Sequence, residues 1–236
     1  MKNQIIDKLK IAKPTFGLSL LFYLFYGFSY GQINVSPFVS LAPNLSTLKT
    51  YTSAPSIAKE RGFGFGSCIG GELIFPKNHS VSIGIQYLNK SINSDITITN
   101  SNGKQVKNIK TKETFNYINF PVLLSIRSKI GLGLKLGCYY SQLLSQTYKL
   151  SPDTTFEGTR PTIINYDYGV MAGIGYYKSI SDKISIEIQS IYNIGIPKLR
   201  EYIANVGTSY FDYYQKITSL SIDFKLIYHL KKSKKE

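Results

Sequence analysis

The chain has 236 residues, with 19 Tyr and 13 Phe but no Trp, 19 Gly, only 18% charged residues and a net charge of +14. About a quarter charged is usual for a soluble domain, so composition speaks against an ordinary soluble surface and for a β-rich chain with a membrane character. The length suits one all-β domain, and two cysteines rule out a disulfide-stapled scaffold.

Residues 1–31 read as an export signal. Lys2, Lys8, Lys10 and Lys13 precede an apolar run from Phe16 to Phe28, and Ser29 and Gly31 place small residues before a cleavage point between Gly31 and Gln32. The run is short of the roughly 20 residues of a membrane-spanning helix; an uncleaved anchor is the alternative. Four Lys and one Asp leave with the segment, so 24 basic and 13 acidic residues remain, a net charge of +11. This charge is scattered over loops and the tail Lys231, Lys232, Lys234 and Lys235. With no basic helix and no RNA-binding aromatic motif, the expected partners are outer-membrane lipid and lipopolysaccharide, with envelope proteins besides, and not nucleic acid.

From Gln32 onward the dominant signal is alternation of apolar and polar residues, the period of a strand with two different faces. It predicts strands at residues 33–41, 62–75, 80–99, 107–126, 130–148, 165–177, 184–194 and 220–230. The connections alternate in length. Short ones fall at 76–79, 128–129 and 180–183; long ones fall at 42–61, around 100–104, at 149–164 and at 197–217. Asn102-Gly103 supplies the positive-φ pair of a tight hairpin, extending strands three and four as a ribbon.

Short turns on one side, long loops on the other and an even strand count are the rhythm of bacterial outer-membrane barrels with both termini periplasmic. The expected fold is therefore all-β: an eight-stranded antiparallel up-and-down transmembrane β-barrel over residues 32–230, followed by a basic tail at 231–236. A soluble lipocalin has the same strand number with its apolar face inward, and periodicity alone does not separate the two. Loop rhythm, strand length and inward charge favour the membrane barrel.

In that arrangement Leu, Ile, Val, Phe and Tyr face lipid, while Gly, Ser, Gln and charged residues line a lumen just wide enough for side chains. The inward charges are Glu72, Arg127, Lys135, Glu187, Asp223 and Lys225, three of each sign. Buried charges persist only when paired, so an internal salt-bridge network should plug the lumen. Cys68 and Cys138 fall on opposite faces and read as packed thiols.

Little here points to chemistry. His79 and His229 are the only histidines, and no motif links either to a nucleophile and an orienting carboxylate. The glycines of Gly62-Phe63-Gly64-Phe65-Gly66 alternate with aromatics inside a strand, which makes them interior spacers and not a phosphate loop. No acidic, His or Cys cluster has metal-ligand spacing, so no cofactor is expected. Tyr87, Tyr139, Tyr140, Tyr166, Tyr168, Tyr176 and Tyr177 lie near strand ends, and those facing lipid fit interfacial girdles. The last long loop carries Tyr202, Tyr210, Phe211, Tyr213 and Tyr214, an extracellular patch that is either self-packed or a binding surface for protein or glycan.

The stretch Tyr117-Ile118-Asn119-Phe120-Pro121-Val122-Leu123-Leu124, followed by Gly131-Leu132-Gly133-Leu134-Lys135-Leu136-Gly137 and Tyr139-Tyr140, resembles the PorT-like outer-membrane β-barrel family of the Bacteroidota. Gln32 fits that family's habit of starting mature chains at Gln. The resemblance implies an outer-membrane barrel and, for some members, a part in type IX secretion or gliding. One departure is the tail from Lys231 to Glu236, where such barrels end near an aromatic. The functional expectation is a non-enzymatic interaction or scaffold protein; a small-solute channel and a lipid-modifying barrel enzyme are the alternatives.

Overall fold

The computed structural model describes residues 34–52, 58–75, 78–99, 105–151, 164–206 and 209–230. The export signal with its Gly31–Gln32 cleavage point, the Asn102-Gly103 turn and the basic tail lie outside the described residues. Nine strands follow in order: β1 (Asn34–Thr52), β2 (Ala58–Phe75), β3 (His79–Thr99), β4 (Gln105–Arg127), β5 (Leu132–Ser151), β6 (Tyr166–Ser179), β7 (Ile184–Gly195), β8 (Arg200–Val206) and β9 (Ser209–Tyr228). Each of β1 to β6 pairs antiparallel with the next, β7 pairs with β9, and β1 pairs with β9 to close the ring.

The ring has eight strands, because β8 lies beside β9 alone and continues the line of β7. Ile194 is opposite Thr218 and Arg200 is opposite Gln215, so residues 195–199 face only Lys216 and Ile217. Pro197 sits in this bulge, where its missing N–H removes no ladder bond. Its neighbours are anchored on both sides: Ile196 N–H donates to Tyr168 O at 2.9 Å and Leu199 N–H to Gln215 O at 2.7 Å.

Two expected long loops are strands instead. Over 42–61, β1 runs on to Thr52 and β2 starts at Ala58, with Thr50 still opposite Ala58. Over 197–217, β8 and β9 form a hairpin, so Tyr202, Tyr210, Phe211, Tyr213 and Tyr214 belong to paired strands and not to a free loop. Backbone pairing carries these ribbons above the barrel, where alternation of side chains weakens. The turn expected at 128–129 also reaches further, to Gly131 at φ 91°. Tyr177 N–H donates to Gly131 O at 2.9 Å, and a Cβ on Gly131 would stand 2.2 Å from Tyr177 O, so the position requires glycine.

The barrel is inside out relative to a soluble protein. Val35, Val39 and Leu41 on β1, Leu132, Leu134 and Leu136 on β5, and Leu220, Ile222, Phe224 and Leu226 on β9 are exposed. Ser36, Ser40, Asn44, Lys135, Ser221, Asp223 and Lys225 on the same strands are buried. On β6 the outward residues from Tyr166 to Tyr176 form a span matching the roughly nine to eleven residues of a tilted bilayer-crossing strand. Of the strand-end tyrosines, Tyr87, Tyr140, Tyr166, Tyr168 and Tyr176 are exposed, whereas Tyr139 is buried in the lumen and Tyr177 is half-buried. Cys68 is buried and Cys138 exposed, both as free thiols.

Candidate functional site: the filled lumen and its two mouths

Alternation delivers one charged side chain inward from each of five strands: Glu72 from β2, Arg127 from β4, Lys135 from β5, Glu187 from β7 and Lys225 from β9. They meet in a single network. Arg127 donates to Glu72 and lies 3.4 Å from Glu187 Oε2; Lys135 Nζ is 2.8 Å from Glu187 Oε1, and Lys225 Nζ is 2.8 Å from Glu72 Oε2 and 3.8 Å from Glu187. Every one of these pairs joins non-adjacent strands except Lys225 with Glu187, so the bonds cross the lumen and do not merely run along its wall. Glu72 is 0% exposed, Lys135 1% and Glu187 1%. Ser80 and Ser125 satisfy further positions, at 2.5 Å to Glu72 and 3.0 Å from Lys135.

Asp223, the sixth inward charge expected, is buried but forms no ion pair among the described residues; it accepts from Gln189 Nε2 at 2.9 Å. Aromatic faces take part of the positive charge. Lys225 Nζ lies 4.1 Å from the Phe38 ring centroid and the Arg127 guanidinium 4.4 Å from that of Tyr177.

A second buried pair was not anticipated. Lys90 of β3 and Asp167 of β6 meet across the lumen at 3.1 Å, with Tyr139 O–H donating to Asp167 at 3.1 Å. The signal was present in the sequence, since Lys90 continues the inward series Gln86, Leu88 and Asp167 that of Gly169 and Met171. Between the two charged layers pack Leu123, Tyr139, Met171 and Ile191.

Beyond Lys90 the polarity of the wall reverses. Leu48, Leu88, Ile92, Phe115, Tyr117, Leu199 and Ile217 form an apolar plug inside the barrel. Outside, at the same height, Tyr87 O–H and Asn89 Nδ2 donate to Asn116 Oδ1 at 2.9 and 2.7 Å, and Asn116 Nδ2 donates to Ser145 Oγ at 2.9 Å. The expectation that apolar residues face outward throughout is corrected here: where the exterior meets water, its outer face turns polar and the apolar residues fill the core.

The mouth on the short-turn side holds a vestibule of about 550 Å³, with Arg127 at its floor and Ser36, Tyr177 and His229 on its walls. His229 sits just beyond β9, its Nδ1 3.0 Å from Ser36 Oγ and its Nε2 2.8 Å from Ser185 Oγ and 3.2 Å from the Tyr177 hydroxyl. Burial holds this imidazole below its ordinary value; Glu72 opposes the shift and Arg127 adds to it. Both serines are buried, and the cluster is a hydrogen-bonded lining of the vestibule. Among the described residues no group of three His, Cys, Asp or Glu is placed to hold a metal ion.

At the opposite mouth, Tyr214 stacks on Tyr51 with ring centroids 4.8 Å apart, and Lys198 Nζ lies 5.0 Å from the Tyr214 ring. Tyr202 is opposite Tyr213, and Tyr210 and Phe211 stand further along the same hairpin. The hairpin brings these residues together in register, and the side chains of all but Tyr214 lie outside the described ones.

No family model matches the chain, and no curated protein matches it in sequence. Among solved structures it is similar to Neisserial surface protein A, at 12% identity and TM-score 0.38 over 80% of this chain and 96% of that one. It is similar to the outer membrane protein OprG from Pseudomonas aeruginosa, at 9% identity and TM-score 0.41 over 83% and 97%. A further similarity is to Ail, the attachment invasion locus protein of Yersinia pestis, in complex with the heparin analogue sucrose octasulfate, at 10% identity and TM-score 0.29 over 80% and 99%. The barrel assignment rests on the strand pairings of the chain itself.

Proposed function

We propose that the protein is a non-enzymatic barrel of the bacterial outer membrane, closed to solutes, which acts as an interaction or scaffold protein through its rims. The observation that carries this reading is the layer of ion pairs linking Glu72, Arg127, Lys135, Glu187 and Lys225 across the lumen. A water-filled path through this layer would have to separate charges that lie within 4 Å of one another. The exposed apolar belt supports the membrane address, because only a closed sheet satisfies its backbone in hydrocarbon. The rhythm of turns supports an orientation with the short-turn mouth in the periplasm and the ribbons outside.

In its finer form the reading places the chain in the PorT-like family, within a type IX-like secretion or motility assembly. The motif at 117–124 and the Gly-alternating strand at 131–140 support it. The test is conductance of the purified full chain in planar bilayers, paired with capture of partners from the intact envelope. The expected result is no conductance steps together with a reproducible envelope partner. Stepwise conductance would instead make the protein a small-solute channel with the 550 Å³ vestibule as its entrance. Altered lipid composition in a deletion strain would point to a lipid-modifying enzyme.

A further inference from the structure

On the outer surface of β9, β1 and β2 the apolar belt ends within a single row. Leu45 is opposite Phe63 on β2 and Leu220 on β9; one outward position further, Thr47 is opposite Arg61 and Thr218, and beyond that Lys49 is opposite Lys216. Directly opposed residues share a face, so these side chains belong to the outer face of the barrel, although Thr218 is covered there. Phe63 is 78% exposed and Leu220 42%, while Lys49 and Lys216 are half-buried and Arg61 is exposed.

The inward positions of the same rows are Leu48 and Ile217, part of the apolar plug, so the reversal of polarity falls here as well. The cations therefore stand at the level where hydrocarbon gives way to headgroups. Glu60, the described carboxylate at this height, is opposite Leu48 and so belongs to the inner face. Lys49, Arg61 and Lys216 form no ion pair among the described residues. Lys49 and Arg61, with Leu45, Thr47, Tyr192 and Leu220, line a groove of about 290 Å³, and Lys216 stands beside it, opposite Lys49.

We propose that this groove binds the phosphate-bearing headgroup of an anionic lipid of the outer leaflet, with its acyl chains lying over Leu45, Phe63 and Leu220. The inference rests on the reading that the apolar belt lies in a bilayer. Lys49 and Arg61 within the groove and Lys216 beside it, without ion pairs among the described residues, supply the attraction, the apolar row below them accepts the chains, and Tyr192 brings an aromatic ring suited to the interface. A free anion would use the cations alone and leave the apolar half of the groove bare, so the occupant is an amphiphile.

The probe is phosphatidylglycerol, offered with phosphatidylcholine in nanodiscs carrying the full chain, and the lipids retained on release are counted by native mass spectrometry. The wild type should keep phosphatidylglycerol in preference to phosphatidylcholine. Each of Lys49→Gln, Arg61→Gln and Lys216→Gln should weaken that preference roughly fivefold, and the triple variant about a hundredfold. Lys129→Gln/Lys178→Gln, on the opposite rim, should leave it unchanged. Equal retention by the triple variant, or displacement of the lipid by inorganic phosphate alone, would overturn the proposal. A boiled-against-unboiled gel shift separates the two levels of failure: variants that remain folded barrels yet show no lipid preference sink this site, whereas a wild type that never enters nanodiscs sinks the membrane reading.

Discussion

Glu72→Gln removes one charge from the middle of the lumen while keeping the shape of the side chain. In the wild type the fully buried carboxylate accepts from Arg127, from Lys225 at 2.8 Å and from Ser80 at 2.5 Å. After the substitution Arg127 keeps Glu187 at 3.4 Å and Lys225 keeps it at 3.8 Å, but Glu187 already holds Lys135 at 2.8 Å. Three buried cations would then share one anion. Removing one partner of a buried pair costs about 3–5 kcal/mol, whereas an exposed pair is worth about 0–1 kcal/mol. Urea unfolding from phosphatidylcholine vesicles, followed by tyrosine fluorescence and by the mobility of unboiled protein on gels, should register the larger loss. Adding Lys225→Met should recover part of it, because the surplus charge leaves with the lysine. If Glu72→Gln stays within about 1 kcal/mol of the wild type, these charges are solvated, the lumen is wet, and the closed-barrel reasoning fails.

Asp167→Asn strands Lys90, whose side chain is 1% exposed, and should cost about 3–5 kcal/mol in the same urea series. Lys90→Met combined with it should cost markedly less than the two single losses added together. Gly131→Ala forces a Cβ to 2.2 Å from Tyr177 O at φ 91°, so a loss of about 1–3 kcal/mol is expected; an unchanged unfolding midpoint would show that the turn adjusts freely. For His229, whose pKa is held below 6.5 in the folded state, the unfolded chain binds the proton more readily. Its contribution is complete above pH 6.5 and lost as pH falls through that value toward the folded pKa. Unfolding midpoints should decline on acidification below 6.5, and His229→Gln should flatten the decline; parallel curves for the two proteins would contradict the assignment.

Most of the barrel was legible because one rule governs it. Where lipid covers one face and a narrow lumen the other, every second residue is constrained, and Leu220, Ile222, Phe224 and Leu226 against Ser221, Asp223 and Lys225 show this without reference to neighbours. The rule loses force above the belt. There the outside is wet and the inside apolar, so 42–61 and 197–217 mix both residue types on both faces and look like loops, although Thr50 to Ala58 and Arg200 to Gln215 are paired. The charged layer followed from the inward series, but its connectivity did not. Which cation meets which carboxylate depends on strand stagger around the ring, so Asp223 turned to Gln189 and Lys90 found Asp167 three strand pairings away.

The reversal of polarity also locates where activity is able to reside. Ion pairs cross the lumen at two heights, with Leu123, Tyr139, Met171 and Ile191 packed between them and the Leu48–Phe115–Tyr117 plug above. A conducting state requires the pairs to separate and the plug to part, and each uncompensated buried charge costs several kcal/mol against a thermal energy of about 0.6 kcal/mol. On the proposed reading, side chains held that firmly serve the barrel and not a passing solute. The groups left with unspent chemistry lie elsewhere: the cations Lys49, Arg61 and Lys216 at the edge of the belt, the Tyr51–Tyr214 stack on the ribbons, and the vestibule walled by Tyr177 and His229. Substitutions of the cations at the edge of the belt should change binding while leaving urea stability nearly untouched, and substitutions in the charged layer should do the reverse.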